Sequence, residues 1–181
     1  MRVIAGKLRG KPLISPIDND VRPTIDRVKE GLFNVIQFNV EGSTVLDLFG
    51  GSGAIGIEAY SRGAKEVYIC DNSSKSMKVI KENISKCKAD EIKLILSDYQ
   101  DALRRFKGKT KFNLVFLDPP YETNYGEISL QLLKEYDLLE KNAIIVFEHN
   151  EKVKTPNIEG YSIYKEKEYG KVIVTFYINN D

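Results

Sequence analysis

The chain has 181 residues, enough for one domain or one domain with a small appendage, and its 42% hydrophobic content supplies a full core. That balance, with 29% charged residues, excludes a disordered or fibrous chain. There is no run of about eighteen apolar residues and no signal-peptide pattern, so a membrane protein is not expected and a cytoplasmic one is.

Residues 1–11 (MRVIAGKLRGK) carry Arg2, Lys7, Arg9 and Lys11 with no acid, a weak electrostatic footprint for phosphate despite the net charge of +1. Two short apolar-basic stretches, RVIA and KPLI, flank Gly6 and Gly10 and read as a small hairpin. A loop with Pro16, Asp18, Asn19 and Asp20 follows, and residues 1–20 are taken as a basic extension to a domain spanning 21–181. Thr24 then reads as a helix cap, with Ile25, Val28, Leu32, Val35 and Ile36 at helical spacing.

From residue 43 short apolar runs alternate with amphipathic stretches. The expected strands are TVLDLF (44–49), EVYICD (66–71), IKLILS (92–97), FNLVFLD (112–118) and AIIVFE (143–148). Helical patterns lie between them: AIGIEAYSR up to Gly63; Met77, Ile80, Ile84 and Cys87; YQDALRRF up to Gly108; and a stretch from Ile128 to Leu139. Such alternation requires a mostly parallel sheet covered on both faces, an α/β doubly wound, Rossmann-like fold. YSIYKEK and KVIVTFYI around Tyr169-Gly170 read instead as a closing antiparallel hairpin. A second acid-free basic run, RRFKGKTK at 104–111, is a further candidate phosphate footprint.

Ligands of doubly wound sheets bind beyond the carboxyl ends of the strands. Asp47, Asp71, Asp98 and Asp118 fall at or just after four successive strand ends. The segment LDLFGGSGAIGIE contains Gly51-x-Gly53-x-x-Gly56, with an acid, Asp71, twenty positions after Gly51; read literally, this is a dinucleotide fingerprint. Asp47 argues against that reading. A carboxylate beside the glycine loop would repel the two phosphates of NAD, whereas S-adenosylmethionine has no phosphate and carries an ammonium and a sulfonium. Asp71 suits the ribose hydroxyls and Ser97-Asp98-Tyr99 the adenine edge. Asp71 and Asp98 also precede helices, where an aspartate serves as a cap.

Asp118-Pro119-Pro120-Tyr121 follows the fourth strand. An exocyclic amino group on a base is a poor nucleophile, because its lone pair is conjugated with the ring. The Asp118 carboxylate and a carbonyl such as that of Pro119 can grip its two hydrogens and orient that lone pair toward a methyl donor. Tyr121 can stack on an unpaired base. Cys70 and Cys87 fit no zinc or redox spacing, and the single His149 excludes a histidine triad, so no metal is expected.

DLFGGSG, CDN at 70–72, SDY at 97–99 and DPPY resemble the ordered motifs of class I S-adenosylmethionine-dependent amino-methyltransferases. RVIAGKLRGKPL and RPTIDRVKEGLFNVI (22–36) further resemble the opening of the RsmD-type family, the 16S ribosomal RNA guanine-N2 methyltransferases, and the likeness runs over nearly the whole chain, including Glu148 after the fifth strand. The resemblance implies S-adenosylmethionine as donor, S-adenosylhomocysteine as product, and a guanine of the small ribosomal subunit as acceptor. It assigns Asp47, Phe49, Gly51, Ser52, Gly53, Asp71, Asn72, Asp98 and Tyr99 to the cofactor and Asp118 to Tyr121 to catalysis. Arg22 joins Arg2, Lys7, Arg9 and Lys11 as the expected RNA contacts. Gly50 stands where the family pattern leads one to expect alanine.

DPPY also serves adenine-N6 methyltransferases, so the residues alone leave guanine and adenine open. A DNA enzyme would need a recognition region larger than the forty or so residues preceding the core. A protein-glutamine methyltransferase would more typically carry asparagine at position 118. An inactive RNA-binding module is the alternative from another class, disfavoured by intact Asp47 and Asp118. A monomer is the default for one compact domain.

Overall fold

A computed structural model of the chain describes residues 1–15 and 22–181, the first four of the second span by backbone alone. The expected Pro16–Asp20 loop lies outside the described residues, as do the side chains of Arg22 and Thr24. After the N-terminal segment come α1 (Arg22–Val35), β1 (Thr44–Asp47), α2 (Ala54–Ser61), β2 (Glu66–Asp71), α3 (Ser74–Cys87), β3 (Lys93–Leu96) and α4 (Tyr99–Phe106). β4 (Phe112–Leu117), α5 (Tyr125–Glu135), β5 (Leu139–Asn150), β6 (Tyr161–Tyr169) and β7 (Val172–Asn179) complete the order.

The seven strands form one sheet in the order β3-β2-β1-β4-β5-β7-β6. β1 to β5 run parallel, and β7 joins β5 antiparallel before pairing with β6 as the closing hairpin. The order reverses between β1 and β4, and a crevice opens there beyond the carboxyl ends of the strands. Side-chain alternation gives the sheet two apolar faces. Phe116, Val146 and Ile69 pack with Phe33, Ile57 and Ile80 on one face; Leu117, Phe147 and Leu46 pack with Leu103, Leu130 and Tyr177 on the other.

The parallel and antiparallel parts of the sheet match the sequence reading. Several boundaries differ: β1 ends at Asp47 and not at 49, and the helix expected over 128–139 spans Tyr125–Glu135. α1 already begins at Arg22, which puts Thr24 inside its first turn and not at the cap position. β5 extends back to Leu139, through a register irregularity between Phe112 and Leu114 of its partner. The N-terminal hairpin contains one isolated bridge, Arg2 to Pro12, in place of two strands.

That N-terminal segment is built into the core. Val3 is fully buried, and the carboxylate of Glu58 on α2, itself inaccessible, accepts the N–H groups of Ile4 at 2.9 Å and Ala5 at 3.0 Å. Ser61 at the end of α2 accepts from Leu8 N–H at 2.9 Å and donates to the Ala5 carbonyl at 2.6 Å. Gly6 has φ +84°, and a Cβ there would lie 1.9 Å from the Ser61 carbonyl oxygen, so the close approach requires glycine. The returning segment reaches Ile14, whose N–H and C=O both bond to the buried Asn83 side chain. Asn83 also donates to the Ser52 carbonyl at 2.9 Å, so one amide ties this segment to the glycine loop.

Helices between parallel strands run back from the crevice. Arg104 and Arg105 in the last turn of α4, with Lys107, Lys109 and Lys111 after it, therefore sit at the end of the sheet remote from the crevice. Arg104 and Lys111 are paired there with Asp101 and Asp137.

Candidate active site

The glycine loop leaves β1 at Asp47 and enters α2 at Gly53. Gly51 and Gly53 hold φ +57° and +79°, the left-handed region that glycine adopts without strain. Gly56 packs α2 onto β2 so closely that a Cβ would meet Ile69 at 2.6 Å, and at Gly50 the distance to Ile69 would be 2.4 Å. Ile69 thus occupies the space that an alanine at position 50 would need. Above Gly51, by contrast, a Cβ would meet nothing within 4 Å: the loop presents bare backbone to open space.

Two adjoining cavities open at the crevice. The first, about 360 Å³, is lined by Phe49, Asp71, Asn72, Ser97, Tyr99 and Tyr125 among others. Asp71 accepts from Gly51 N–H at 2.9 Å through Oδ2 and from Ser73 N–H at 2.8 Å through Oδ1. Each oxygen keeps a further lone pair for a ligand hydroxyl. Tyr99 lies between Phe49, at 5.5 Å, and Tyr125, stacked at 4.9 Å, forming an aromatic wall. An acid for a diol beside an aromatic wall is a site for a nucleoside.

The second cavity, about 270 Å³, has apolar walls from Val28, Leu32, Val146 and Val172 and carboxylates from Asp47, Asp118 and Glu148. Lys29 lines it too, but its ammonium is engaged by the Arg2 carbonyl at 2.5 Å and by Glu58 at 3.3 Å. Burial pushes the Lys29 pKa down, against the opposing pull of Glu58. The net chemistry of this chamber is acidic.

Phe49, Gly51, Asp118 and Tyr121 belong to both cavities and mark their junction. Asp47 is 3% exposed beneath the loop, where its Oδ2 accepts the Gly56 N–H at 3.1 Å. Burial raises its pKa to about 7; the Gly56 bond opposes the shift and Asp71 adds to it. Asp118 is exposed to solvent through the cavity. The protein packed around the crevice, then the charges of Glu148 and Asp47, push its carboxyl above the ordinary value. Burial raises Glu148 as well, while the Tyr121 hydroxyl, donating to Oε1 at 3.3 Å, favours its ionised form.

The structure thus gathers Asp47, Phe49, Gly51, Ser52, Asp71, Asn72, Tyr99 and Asp118 to Tyr121 around one crevice. Gly53 shapes the loop without lining either cavity. Asp98 does not line them either: it caps α4 by accepting Gln100 N–H at 2.9 Å, and neighbouring Ser97 faces the first cavity. Lys29, Met1 and Tyr125 went unrecognised in the sequence. Tyr125 opens α5 and reads as an ordinary helix residue; an aromatic so close after DPPY was its only signal. Cys70 is buried and His149 is bonded to Thr175 at 3.0 Å, so both are structural. No metal-binding cluster is present among the described residues, and no helix there is long and apolar enough to cross a membrane.

Residues 1–178 match the protein family described as Conserved hypothetical protein 95. The Haemophilus influenzae Ribosomal RNA small subunit methyltransferase D is 36% identical over 181 residues, covering 99% of this chain and 94% of that protein. The chain belongs to the RsmD-type methyltransferase family. The Escherichia coli K12 protein of the same name is 33% identical over 178 residues, covering 98% of this chain and 89% of its own. The solved structure of yhhF from Escherichia coli superimposes on this RsmD-type chain with TM-score 0.90 at 29% identity, covering 99% of this chain and 98% of that one. The candidate site in this RsmD-type chain is the crevice between β1 and β4, where Asp118 and Tyr121 line both cavities.

Proposed function

We propose that the protein transfers a methyl group from S-adenosylmethionine to the exocyclic N2 amino group of a guanine in 16S ribosomal RNA, on the assembled small subunit. The observation that carries this reading is the position of Asp118-Pro119-Pro120-Tyr121 at the junction of a nucleoside-shaped cavity and an acidic one. The names of the Haemophilus and Escherichia relatives support ribosomal RNA as the acceptor.

The residues present fit the donor. Asp71 with its free lone pairs would take the ribose hydroxyls, Phe49, Tyr99 and Tyr125 the adenine, and the open backbone at Gly51 the centre of the molecule. Asp47 and Asp118 favour the cationic end. The same acids disfavour NAD, whose phosphates they would repel. When bound, S-adenosylmethionine supplies a methyl group activated on a sulfonium.

On the acceptor side, Asp118 and the Pro119 carbonyl would accept the two amino hydrogens, which turns the nitrogen lone pair out of conjugation and along the line of attack. The proline at 120 removes a competing N–H beside that carbonyl. Tyr121, half exposed at the junction, would stack on the extruded base. Asp118, in its ionised form, would then take the proton released from the amino nitrogen.

The test is transfer of labelled methyl from S-adenosylmethionine to unmodified small ribosomal subunits, followed by digestion to nucleosides. Label in N2-methylguanosine is expected. Label in N6-methyladenosine would retain the chemistry and overturn the acceptor, and absence of label with donor bound would overturn both.

A further inference from the structure

Asp118 has a neighbour of the same charge. Phe116 pairs with Val146 and Leu117 with Phe147 across the parallel β4–β5 ladder, and Asp118 and Glu148 are the residues that follow its last pair. Phe116 and Val146 pack in one core cluster, Leu117 and Phe147 in the other. Asp118 and Glu148, two residues on from the first pair, continue the alternation toward the same face of the sheet. Both line the second cavity.

The Tyr121 hydroxyl occupies Oε1 of Glu148, and Oε2 receives no hydrogen bond among the described residues. Two acceptors side by side demand a ligand edge with two donors side by side. Guanine offers that edge, with N1–H next to the N2 amino group. Adenine does not: beside its N6 amino group lies the N1 lone pair. A carboxylate facing that lone pair would be repelled and left unmatched.

We propose that Glu148 is the residue that selects guanine over adenine, accepting N1–H while Asp118 accepts an N2 hydrogen. This rests on the guanine-N2 reading above and gives it a physical basis within the site. Burial raises the Glu148 pKa and the Tyr121 bond opposes that shift; Glu148 accepts N1–H in its ionised form.

The test replaces the methylated guanosine, once mapped, by 2-aminopurine in the reconstituted subunit. That base keeps the 2-amino group but carries a lone pair at N1. The unaltered protein is expected to prefer guanine by about ten- to a hundredfold in kcat/KM, the usual yield of one matched polar contact to a base edge. In Glu148→Gln the amide can donate to N1, and the preference should collapse toward one. Any effect of the missing O6 in 2-aminopurine is common to both proteins and cancels between them. Binding of S-adenosylhomocysteine checks that the variant is folded; should it fail, the same ratio is read in Glu148→Asp, whose shorter side chain withdraws from N1–H. An unchanged preference in the folded variant, or no preference in the unaltered protein, overturns the proposal. No methylation of the guanine-bearing subunit by the unaltered protein overturns the underlying reading, and the proposal with it.

Discussion

Glu58 and Lys29 meet at 3.3 Å where their side chains are 0% and 1% exposed, and the carboxylate simultaneously receives Arg62 and two backbone N–H groups. The pair joins α1, α2 and the N-terminal segment beside the acidic cavity. Removing one partner of a buried pair leaves the other charge stranded. Glu58→Ala is therefore expected to destabilise the fold by about 3–5 kcal/mol, measured by urea denaturation. Lys29→Met should cost less, because Glu58 retains Arg62 and both N–H donors. Equal losses would show that the carboxylate is not the hub.

Asp47 makes stability depend on pH. Its carboxyl titrates near 7 when folded but close to the ordinary carboxylate value when unfolded. Between those values the unfolded chain has lost the proton and the folded chain has kept it, so stability falls as pH rises from about 4 to about 7 and levels off above. Asp47→Asn should remove this part of the slope. Its stability relative to the unaltered protein should improve between pH 5 and pH 8, by on the order of a few kcal/mol at most. Denaturation midpoints of both proteins at the two pH values decide it, and parallel curves would refute it.

Strand ends and their acids were legible in the sequence because the parallel sheet imposes one geometry on every β-to-α turn. Asp47, Asp71 and Asp118 reach the crevice for that reason. Asp98 shows the limit: position after a strand also suits a helix cap, and only the direction of its side chain, toward Gln100 N–H, separates the two roles. Lys29 and Tyr125 were illegible because their contribution depends on how α1 and α5 pack across the crevice. The hairpin expectation for residues 2–14 captured the reversal of the chain. It missed what holds the segment down, since nothing local shows that Glu58, Ser61 and Asn83, far along the sequence, supply its hydrogen bonds.

Asp118→Asn should separate chemistry from donor binding. The amide keeps the size of the side chain and one acceptor but cannot take up the proton. A loss of about a hundred- to a thousandfold in kcat is expected, of the order seen when one preorganised polar group is removed from a transition state. S-adenosylhomocysteine affinity, measured by calorimetry, should change little. Retained turnover would remove Asp118 from catalysis.

The basic N-terminal segment is expected to bind RNA as a rigid ruler. Lys7 bonds through its backbone to Ser61 and lies 3.6 Å over the Tyr60 ring, so the turn holding Lys7 and Arg9 sits at the far end of α2. Met1 and the returning Ile14 lie back at the glycine loop, about 12 Å away along the eight-residue helix. Arg2, Lys7, Arg9 and Lys11 are thus expected to form a basic line leading toward the crevice. Replacing all four by glutamine should weaken RNA binding and flatten its salt dependence by about 0.7–0.9 in log–log slope for each phosphate no longer neutralised. Gly6→Ala supplies the complementary test. Its Cβ would collide with the Ser61 carbonyl and displace the turn while leaving every charge in place. Weaker binding to Gly6→Ala would mean that the geometry of the line matters as well as its charge. An unchanged salt slope in the fourfold variant would remove this segment from the RNA interface.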